Sequence, residues 1–377
     1  MLLHYLWLAL SKETTLLQKH RLLERHGDVC SLYNSNTFKD KDLKEAERIL
    51  ALCQKKKIGI LTLADERYPA RLRNTPDAPL ALYYVGKLPD WEERPLIGVV
   101  GTRKVSDYGL QISHQMGYQI ASCGGVVVSG GATGADTAAM RGAMEAGFPV
   151  VGVVATGLDT VYPPENRNFF VSVIRQGGCL LSEYPPSSKI ERWHFRERNR
   201  IISGISNGTL VVEAPQRSGA LVTARYALEQ GRDVFVVPGN INTAACEGSN
   251  RLLQDGATPV FTGWDVVCGY GFQYPEKLKN KVKTPPVLTQ NSEKRETARK
   301  KSIDNGENSA YSVVENKSLS LSQDEKAVLA QLTSAPQEPA ELIAQSGLPS
   351  GKVLSALTML AVKGLVTKHP GGRFGRK

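Results

Sequence analysis

The chain has 377 residues, of which 41% are hydrophobic, and this predicts roughly two or three domains of a soluble globular protein with room for a core. Its formal net charge of +10 at pH 7 favours polyanionic partners such as nucleic acid or phosphorylated ligands, although an excess of lysine on an ordinary soluble protein explains it equally well. Its six cysteines are scattered without a CxxC spacing, which argues against a disulfide framework and a zinc site and favours reduced cytoplasmic thiols.

Residues 1–85 predict a small N-terminal helical domain followed by a lead-in. Met1–Leu10 is apolar but too short to span a membrane and lacks the features of a signal peptide, so we expect a buried helix. Leucines at 16, 17, 22 and 23, and an amphipathic run from Leu43 to Cys53, have helical spacing. The proline-rich stretch Ile60–Gly86 then predicts an irregular, extended connection to the next domain.

Residues 86–271 predict an α/β domain with an extended, Rossmann-like parallel sheet. Short β-rich runs alternate with helical segments, and the runs are apolar on both faces, which is typical of a sheet covered by helices on both sides. The predicted strands are 96–100, 126–129, 150–154, 179–182, 209–213, 234–237 and 258–261. The predicted helices are 107–121, 134–146, 166–175, 198–204, 219–230 and 248–255.

The remaining chain predicts a linker and a second small domain. Residues 272–318 contain few large apolar residues and two lysine- and arginine-rich clusters, which is typical of a disordered basic linker. Residues 319–377 predict a winged-helix domain with helices near 324–332, 339–346 and 350–363 and a hairpin at Pro370-Gly371-Gly372. Its third helix carries mainly Lys352 and Lys363 for contact with DNA, so binding of DNA and binding of protein remain equally open.

Several loops at the predicted carboxyl ends of the strands are candidates for an anion site. In an open parallel sheet, ligands bind at this edge. The candidate residues are Gly101, Thr102, Arg103, Gly130, Gly131, Thr133, Gly134, Ser218 and Gly219. Glycines let a backbone approach a ligand, helix starts at Gly134 and Gly219 attract anions, and the Arg103 guanidinium fits phosphate oxygens. Tight turns also use glycine for structural reasons alone, and neither GxGxxG nor GxxxxGK[ST] is present.

A second candidate is the basic segment beside the same edge. It contributes Phe195, Arg196, Arg198, Asn199 and Arg200. Arginines follow phosphates and an aromatic ring stacks on bases without reading sequence, a combination typical of single-stranded nucleic-acid binding. A salt-bridged helix start with Phe195 in the core is the structural alternative. No nucleophile, base and orienting partner clearly converge, so we predict no catalytic residue, metal or cofactor.

The residues of the central region closely resemble the DprA (Smf) family. The resemblance rests on motifs that occur in the family's order along the whole domain. They are Gly101-Thr102-Arg103, Ser129-Gly130 with Gly134 and Asp136, Gly157-Leu158-Asp159, Tyr162-Pro163-Pro164-Glu165-Asn166, Ser182-Glu183-Tyr184-Pro185, Arg198-Asn199-Arg200-Ile201-Ile202-Ser203-Gly204, Val212-Glu213-Ala214, Ser218-Gly219-Ala220-Leu221, Val237-Pro238-Gly239 and Gly248-Ser249-Asn250.

This resemblance implies a homodimer that binds single-stranded DNA in a basic pocket, protects incoming DNA and helps to load the RecA recombinase during natural transformation. It also implies a SAM-like N-terminal domain and a C-terminal winged helix. From the scattered cysteines and the short apolar N-terminus we expect a cytoplasmic protein without membrane association. Three positions depart from the family pattern, which has arginine at Thr133, histidine at Met140 and proline at Arg196. The alternative is a nucleotide-acting phosphoribohydrolase-like enzyme on the same fold, although the nearest stretch, Pro238-Gly239-Asn240-Ile241, lacks that group's PGGxGTxxE motif.

Overall fold

The computed structural model describes residues 1–282, 322–333, 337–362, 365–368 and 373–376. It divides into two compact units, one within residues 1–290 and one within residues 291–377. In the described part of the chain, no helix combines the length and apolar character needed to cross a bilayer.

The N-terminal region is helical, as the leucine spacing predicted. Its helices are α1 (Leu2–Leu10), α2 (Leu16–His26), α3 (Val29–Asn34) and α4 (Lys44–Lys56). A capping box between Thr15 and Gln18 starts α2 because each side chain accepts a backbone N–H that the first turn leaves free. Leu6 and Leu8 are completely buried in a cluster formed by these helices, so α1 is the buried helix expected.

The prediction of an irregular connection over residues 60–86 is wrong. This stretch contributes strand β1 (Gly59–Thr62), the short helix α5 (Ala70–Arg73) and strand β2 (Ala81–Gly86). The two strands pair with each other in antiparallel fashion, and β2 continues into the main sheet. Leu82 packs into the sheet core, whereas Tyr83 packs among the N-terminal helices, because successive side chains of a strand point to opposite faces. The N-terminal helices therefore cover one face of the same sheet.

The predicted parallel α/β sheet is confirmed. Strands β3 to β9 comprise Leu96–Val100, Val126–Ser129, Val151–Val153, Cys179–Ser182, Gly208–Val211, Asp233–Val236 and Thr258–Pro259. Helices α6 to α13 comprise Asp107–Ser122, Ala135–Glu145, Arg167–Arg175, His194–Glu197, Asn199–Ile205, Gly219–Glu229, Glu247–Gln254 and Gly263–Val267. The nine strands run in the order β1-β2-β6-β5-β4-β3-β7-β8-β9, and neighbours from β6 to β9 are parallel.

Each face of the sheet carries its own apolar core. In β3, Ile97 and Val99 belong to one core, whereas Leu96 and Val100 belong to the other. Both sets are buried, so the strand has no polar face. This explains why the strands read as continuous apolar runs in the sequence.

The first unit extends beyond residue 271, where the linker was predicted to start. Tyr274 is buried, and its hydroxyl accepts a hydrogen bond from Arg71 Nη2 at 2.9 Å and from Asn207 Nδ2 at 3.1 Å. The Lys279 N–H donates to the carbonyl of Cys123 at 3.1 Å. The linker prediction is therefore wrong for these residues, because one tyrosine and a few backbone bonds suffice to hold them. The rest of the predicted linker, residues 283–318, lies outside the described residues.

The second unit contains the helices and strands predicted for its described residues. They are α14 (Gln323–Gln331), α15 (Pro339–Ser346), α16 (Ser350–Val362), β10 (Val366–Lys368) and β11 (Phe374–Arg376), with the two strands antiparallel. Gly347 ends α15 in the left-handed region at φ 65°, where glycine carries no steric penalty. Lys352 is exposed and forms an ion pair with Asp324 at 3.5 Å. Lys363 and the predicted hairpin tip at 370–372 lie outside the described residues.

Candidate nucleic-acid interface

A cleft of about 1200 Å³ opens at the carboxyl ends of β3 and β7. The chain runs from β3 outward through β4, β5 and β6, then returns to the other side of β3 as β7. The loops after β3 and β7 therefore diverge in opposite directions, and a crevice forms at the point where the strand order reverses. This topology places the cleft at the edge that the sequence predicted.

The structure brings most of the candidate residues into this cleft, but not all of them. Those lining it are Gly101, Thr102, Arg103, Phe195, Arg196, Arg198, Asn199, Ser218 and Gly219. Gly130, Gly131, Thr133, Gly134 and Arg200 do not line it. Met140 is completely buried in the core, so this departure from the family pattern does not alter the cleft.

The glycines after β4 serve the packing of the protein against itself. A Cβ on Gly130 would lie 2.5 Å from Arg198 Nη2, and one on Gly131 would lie 2.6 Å from the Phe170 ring. Gly134 has φ 88°, and a Cβ there would lie 2.7 Å from the carbonyl oxygens of Thr102 and Arg103. These glycines are therefore required by the packing of the protein itself, and contact of their backbone with a ligand stays a prediction.

Arg198 forms the floor of the cleft and is almost completely buried. Its guanidinium donates to the carbonyl of Gly130 at 2.7 Å and to the carbonyl of Val153. Burial lowers its pKa to about 10, and the carboxylate of Asp136 partly opposes that shift. Arg198 therefore links the carboxyl ends of β4 and β5. Its described hydrogen bonds go to protein atoms.

Arg200 is a structural cation, contrary to its assignment as a DNA contact. Only 2% of its surface is exposed. Its Nη2 lies 2.6 Å from Glu183 Oε1, and its Nε lies 3.3 Å from Asp77 Oδ2. Burial opposes its charge, but the two carboxylates outweigh burial and raise the pKa. The salt-bridged alternative weighed for this segment is thus correct for Arg200.

An aromatic pair and an arginine form one wall of the cleft. Phe195 is half-buried, and its ring centroid lies 5.2 Å from that of Tyr162, which is 41% exposed. The Arg103 guanidinium lies 5.1 Å from the Phe195 centroid, within the range of a cation–π contact. Phe195 is therefore not a core residue, and its ring is available at the cleft beside a positive charge.

Exposed cations surround the cleft. Five of them are Arg103, Lys104, Arg192, Arg196 and Arg217, and a sixth, Arg225, pairs with Glu229 at 3.4 Å. In the described part of the chain, none of these five side chains is within 4.0 Å of a carboxylate oxygen. Among the described residues, Asp136 is the only acidic residue lining the cleft, and it is buried. Like charges held close together without counter-charges indicate an anion site.

Sequence reasoning missed four of the contributing residues. Lys104 follows Arg103 directly, and Arg217 precedes Ser218 and Gly219, so adjacency to a candidate loop would have found both. Tyr162 lay in a motif already noted for its resemblance to the family. Arg192 lies three residues before Phe195, so extending the basic segment toward the N-terminus would have found it.

Buried Glu213 holds the loop after β3. Its carboxylate accepts the Ser106 N–H at 3.0 Å and the Ser106 hydroxyl at 2.5 Å, and its backbone oxygen accepts the Thr102 N–H at 2.8 Å. Glu213 therefore orients the amides of this loop. On the other side of the cleft, Ser218 caps α11 by accepting the N–H of Ala220, so the positive end of that helix dipole faces the opening. This arrangement suits binding of a phosphate-bearing ligand.

Two family models match the chain, one in each of its two units. A family model described as DNA recombination-mediator protein A matches residues 59–271, and one described as the DprA winged helix domain matches residues 315–372. The second match confirms the winged-helix prediction. The first match begins at β1, so it includes the two strands that the sequence analysis assigned to a connection.

Curated relatives and solved structures that resemble this chain also carry the names Smf or DprA. Protein Smf of Synechocystis is 32% identical over 86% of this chain and 81% of its own length. DNA processing protein DprA of Bacillus subtilis is 37% identical over 58% of this chain and 73% of its own. The X-ray structure of DprA from Streptococcus pneumoniae matches with a TM-score of 0.61 and 33% identity over 70% of this chain and 97% of that one.

A further solved structure, DNA processing protein A from Helicobacter pylori, is described in terms of its single-stranded DNA binding mode. It matches with a TM-score of 0.52 and 28% identity, over 58% of this chain and 97% of that one.

Proposed function

This chain belongs to the DprA (Smf) family of DNA recombination-mediator proteins, and on that basis we propose that its cleft binds single-stranded DNA. The observation that carries the proposal is the set of exposed, unpaired cations around a half-buried aromatic wall. A phosphodiester chain supplies negatively charged partners for these cations, which have none in the protein's described residues. The relative from Helicobacter pylori, whose single-stranded DNA binding mode is described, supports the same ligand.

The aromatic wall favours a single strand over a duplex. Phe195 and Tyr162 offer ring faces at the cleft, and a ring stacks on a base only when that base is not enclosed in a double helix. Stacking is tolerant of sequence because every base has a π face. We therefore expect binding without strong sequence preference.

The cleft acts by binding and without turnover of the strand. Asp136, the one acidic side chain lining it in the described part of the chain, is buried against Arg198. A nucleotide hydrolase needs a base that reaches the substrate. Release of a free base or a shortened strand from DNA incubated with pure protein would contradict this part of the proposal.

In the cell, the protein acts as a cytoplasmic homodimer that protects incoming single strands and helps to load RecA recombinase during natural transformation. The recombination-mediator description of the family supports this role. The test measures RecA assembly on DNA already coated by a single-stranded-DNA-binding protein. We expect the wild type to shorten the lag before assembly and Arg103→Ala to shorten it less. Equal lags with and without the protein would contradict RecA loading.

The test of DNA binding is a salt titration with single-stranded and double-stranded oligonucleotides. The wild type should prefer the single strand, and the logarithm of its affinity should fall with the logarithm of salt concentration by about 0.7 per phosphate neutralised. Arg103→Ala should lower the affinity and reduce that slope by about 0.7, since one phosphate contact is lost.

Arg48→Ala is the matched control, because Arg48 is exposed but already pairs with Glu45 at 2.7 Å on α4. It should leave the affinity and the slope unchanged. An Arg103→Ala protein that behaves like this control would remove Arg103 from the interface, and a wild type without measurable binding would contradict the proposed function itself.

A further inference from the structure

Trp193 is an exposed aromatic side chain next to the cleft but outside it. It has 58% of its surface exposed, whereas Trp7 and Trp91 are buried and Trp264 is partly buried. It is not among the residues that line the cleft. Its exposed indole offers apolar area and an aromatic face that a nucleic-acid base can cover.

Two buried rings fix the position of Trp193. Its centroid lies 4.3 Å from that of His194 at an interplanar angle of 77°, and 6.3 Å from that of Tyr184 at 81°. Tyr184 and His194 stack on each other with centroids 3.7 Å apart. Both contacts of Trp193 are thus edge-to-face, and no described ring stacks flat on its indole. The side chain is held in place while its exposed part remains free for a ligand.

The position of Trp193 in the chain places it between two cleft-lining arginines. Trp193 immediately precedes α9, and Arg192 and Arg196 both line the cleft. Residues two apart in a helical turn point about 200° away from each other. Phe195 lines the cleft, whereas Trp193 lies just outside it on a different face of the same turn.

The exposed charges around Trp193 favour a nucleic-acid ligand over an apolar protein surface. Lys189, Arg192 and Arg196 are exposed there against Glu191 and Glu197. Arg192 and Arg196 have no acidic partner within 4.0 Å among the described residues. A strand that leaves the cleft past these two arginines would pass beside the indole.

We propose that Trp193 is a second stacking platform, which holds a base of the single strand immediately outside the cleft. This inference rests on the proposed function, since the strand must first occupy the cleft. The indole adds a contact to longer strands without adding sequence preference, because stacking needs only the face of a base. The platform therefore lengthens the bound segment of DNA.

Intrinsic fluorescence provides the first test, because a stacked base quenches the emission of an indole. Oligothymidylates of increasing length are titrated into the full-length protein, and binding is followed separately by anisotropy of a label on the DNA. We expect the shortest oligonucleotides that bind to cause little quenching and longer ones to quench strongly. Trp193→Phe should abolish most of the quenching, and the control Trp264→Phe should retain it.

Affinity provides the second test. Trp193→Ala should weaken binding of long oligonucleotides roughly tenfold, since one stacked base is worth about 1–3 kcal/mol. Binding of the shortest oligonucleotides should stay unchanged. Trp193→Phe keeps a ring face and should restore most of the affinity. This rescue by phenylalanine distinguishes a stacking platform from a residue that only supports α9.

Two results would overturn the platform while leaving the proposed function intact. One is quenching that persists in Trp193→Phe. The other is an affinity loss in Trp193→Ala that is equal at every oligonucleotide length, which would mean that Trp193 supports the cleft itself. A change of Trp193 emission on diluting the protein without DNA would instead assign the indole to a protein contact. Failure of the wild type to bind any oligonucleotide would overturn both proposals together.

Discussion

Arg196 and Arg200 are four residues apart in the chain, yet their surroundings are opposite. Arg196 is exposed at the cleft and has no acidic partner among the described residues, whereas Arg200 is buried between Glu183 and Asp77. Arg198, between them, is buried and bonds to backbone carbonyls. The comparison shows that a cluster of arginines in a sequence is not one functional group. A cation serves a ligand only where the fold leaves it without a protein partner.

The largest effect that tests this comparison should come from Arg200→Met. We expect it to lower the free energy of unfolding by about 3 kcal/mol, because removing the cation leaves two carboxylates without their partner at a largely buried site. The folded variant should bind single-stranded DNA as well as the wild type does. Urea unfolding and DNA titration at equal salt measure the two quantities.

Arg48→Met serves as the control for that measurement, since Arg48 forms an exposed ion pair with Glu45. It should change the free energy of unfolding by less than about 0.5 kcal/mol. If Arg200→Met weakened DNA binding but not stability, the division between free and structural arginines would be wrong.

Two glycines of the candidate site should differ in the same way, because one is required for stability and the other is not. Gly134→Ala should lower the free energy of unfolding by about 2 kcal/mol, because φ is 88° and a Cβ would meet two carbonyl oxygens. Gly219→Ala should change it by less than about 0.5 kcal/mol, since nothing lies within 4 Å of its added Cβ. Thermal or urea unfolding of the two variants provides the comparison, and similar losses would contradict the separate roles.

Phe195→Ala should act on binding and little on folding. The half-buried ring forms part of the cleft wall, so we expect the affinity for single-stranded DNA to fall roughly tenfold. Phe195→Tyr keeps a ring face and should retain most of the affinity. A large loss of stability in Phe195→Ala, with unchanged affinity of the folded fraction, would show that Phe195 serves as a core residue and not as a DNA contact.

A buried lysine makes the stability of the protein depend on pH. Lys19 is buried, and its Nζ donates to the carbonyls of Ser11 at 2.6 Å and Ala9 at 3.2 Å. Burial lowers its pKa from 10.5 to about 8, although Glu183 opposes the shift. Between these values the unfolded chain holds a proton that the folded chain lacks, so stability rises with pH in this window.

We therefore expect the wild type to gain about 1 kcal/mol of unfolding free energy relative to Lys19→Met as pH rises from about 7 to about 9.5. Urea unfolding at several pH values gives this difference, in which other titrating groups cancel. Lys44→Met, at an exposed position, should show the same change of unfolding free energy with pH as the wild type. A gap between the wild type and Lys19→Met that stays constant with pH would show that Lys19 does not titrate in this range.

Most of the central fold was predictable because its sequence pattern is local. Parallel strands buried on both faces are continuous apolar runs, and helices between them show their own spacing, so the predicted and observed bounds differ by only a few residues. Residues 59–86 escaped prediction because β1 and β2 are short and flank a proline-rich stretch. The strand conformation of β2 depends on pairing with β6, which is distant in the chain, and β1 in turn pairs with β2.

The sequence by itself determined that this is a basic α/β protein of the DprA family with glycine- and arginine-bearing loops at one edge of its sheet. Only the tertiary structure decided which of these residues are free to meet a ligand. Arg103 and Arg196 reach the cleft without acidic partners, whereas Arg200 meets Glu183 and Asp77, and Gly130 meets Arg198. The physical reason is that partners distant in the chain neutralise a charge or occupy a space, and the identity of a residue does not reveal them.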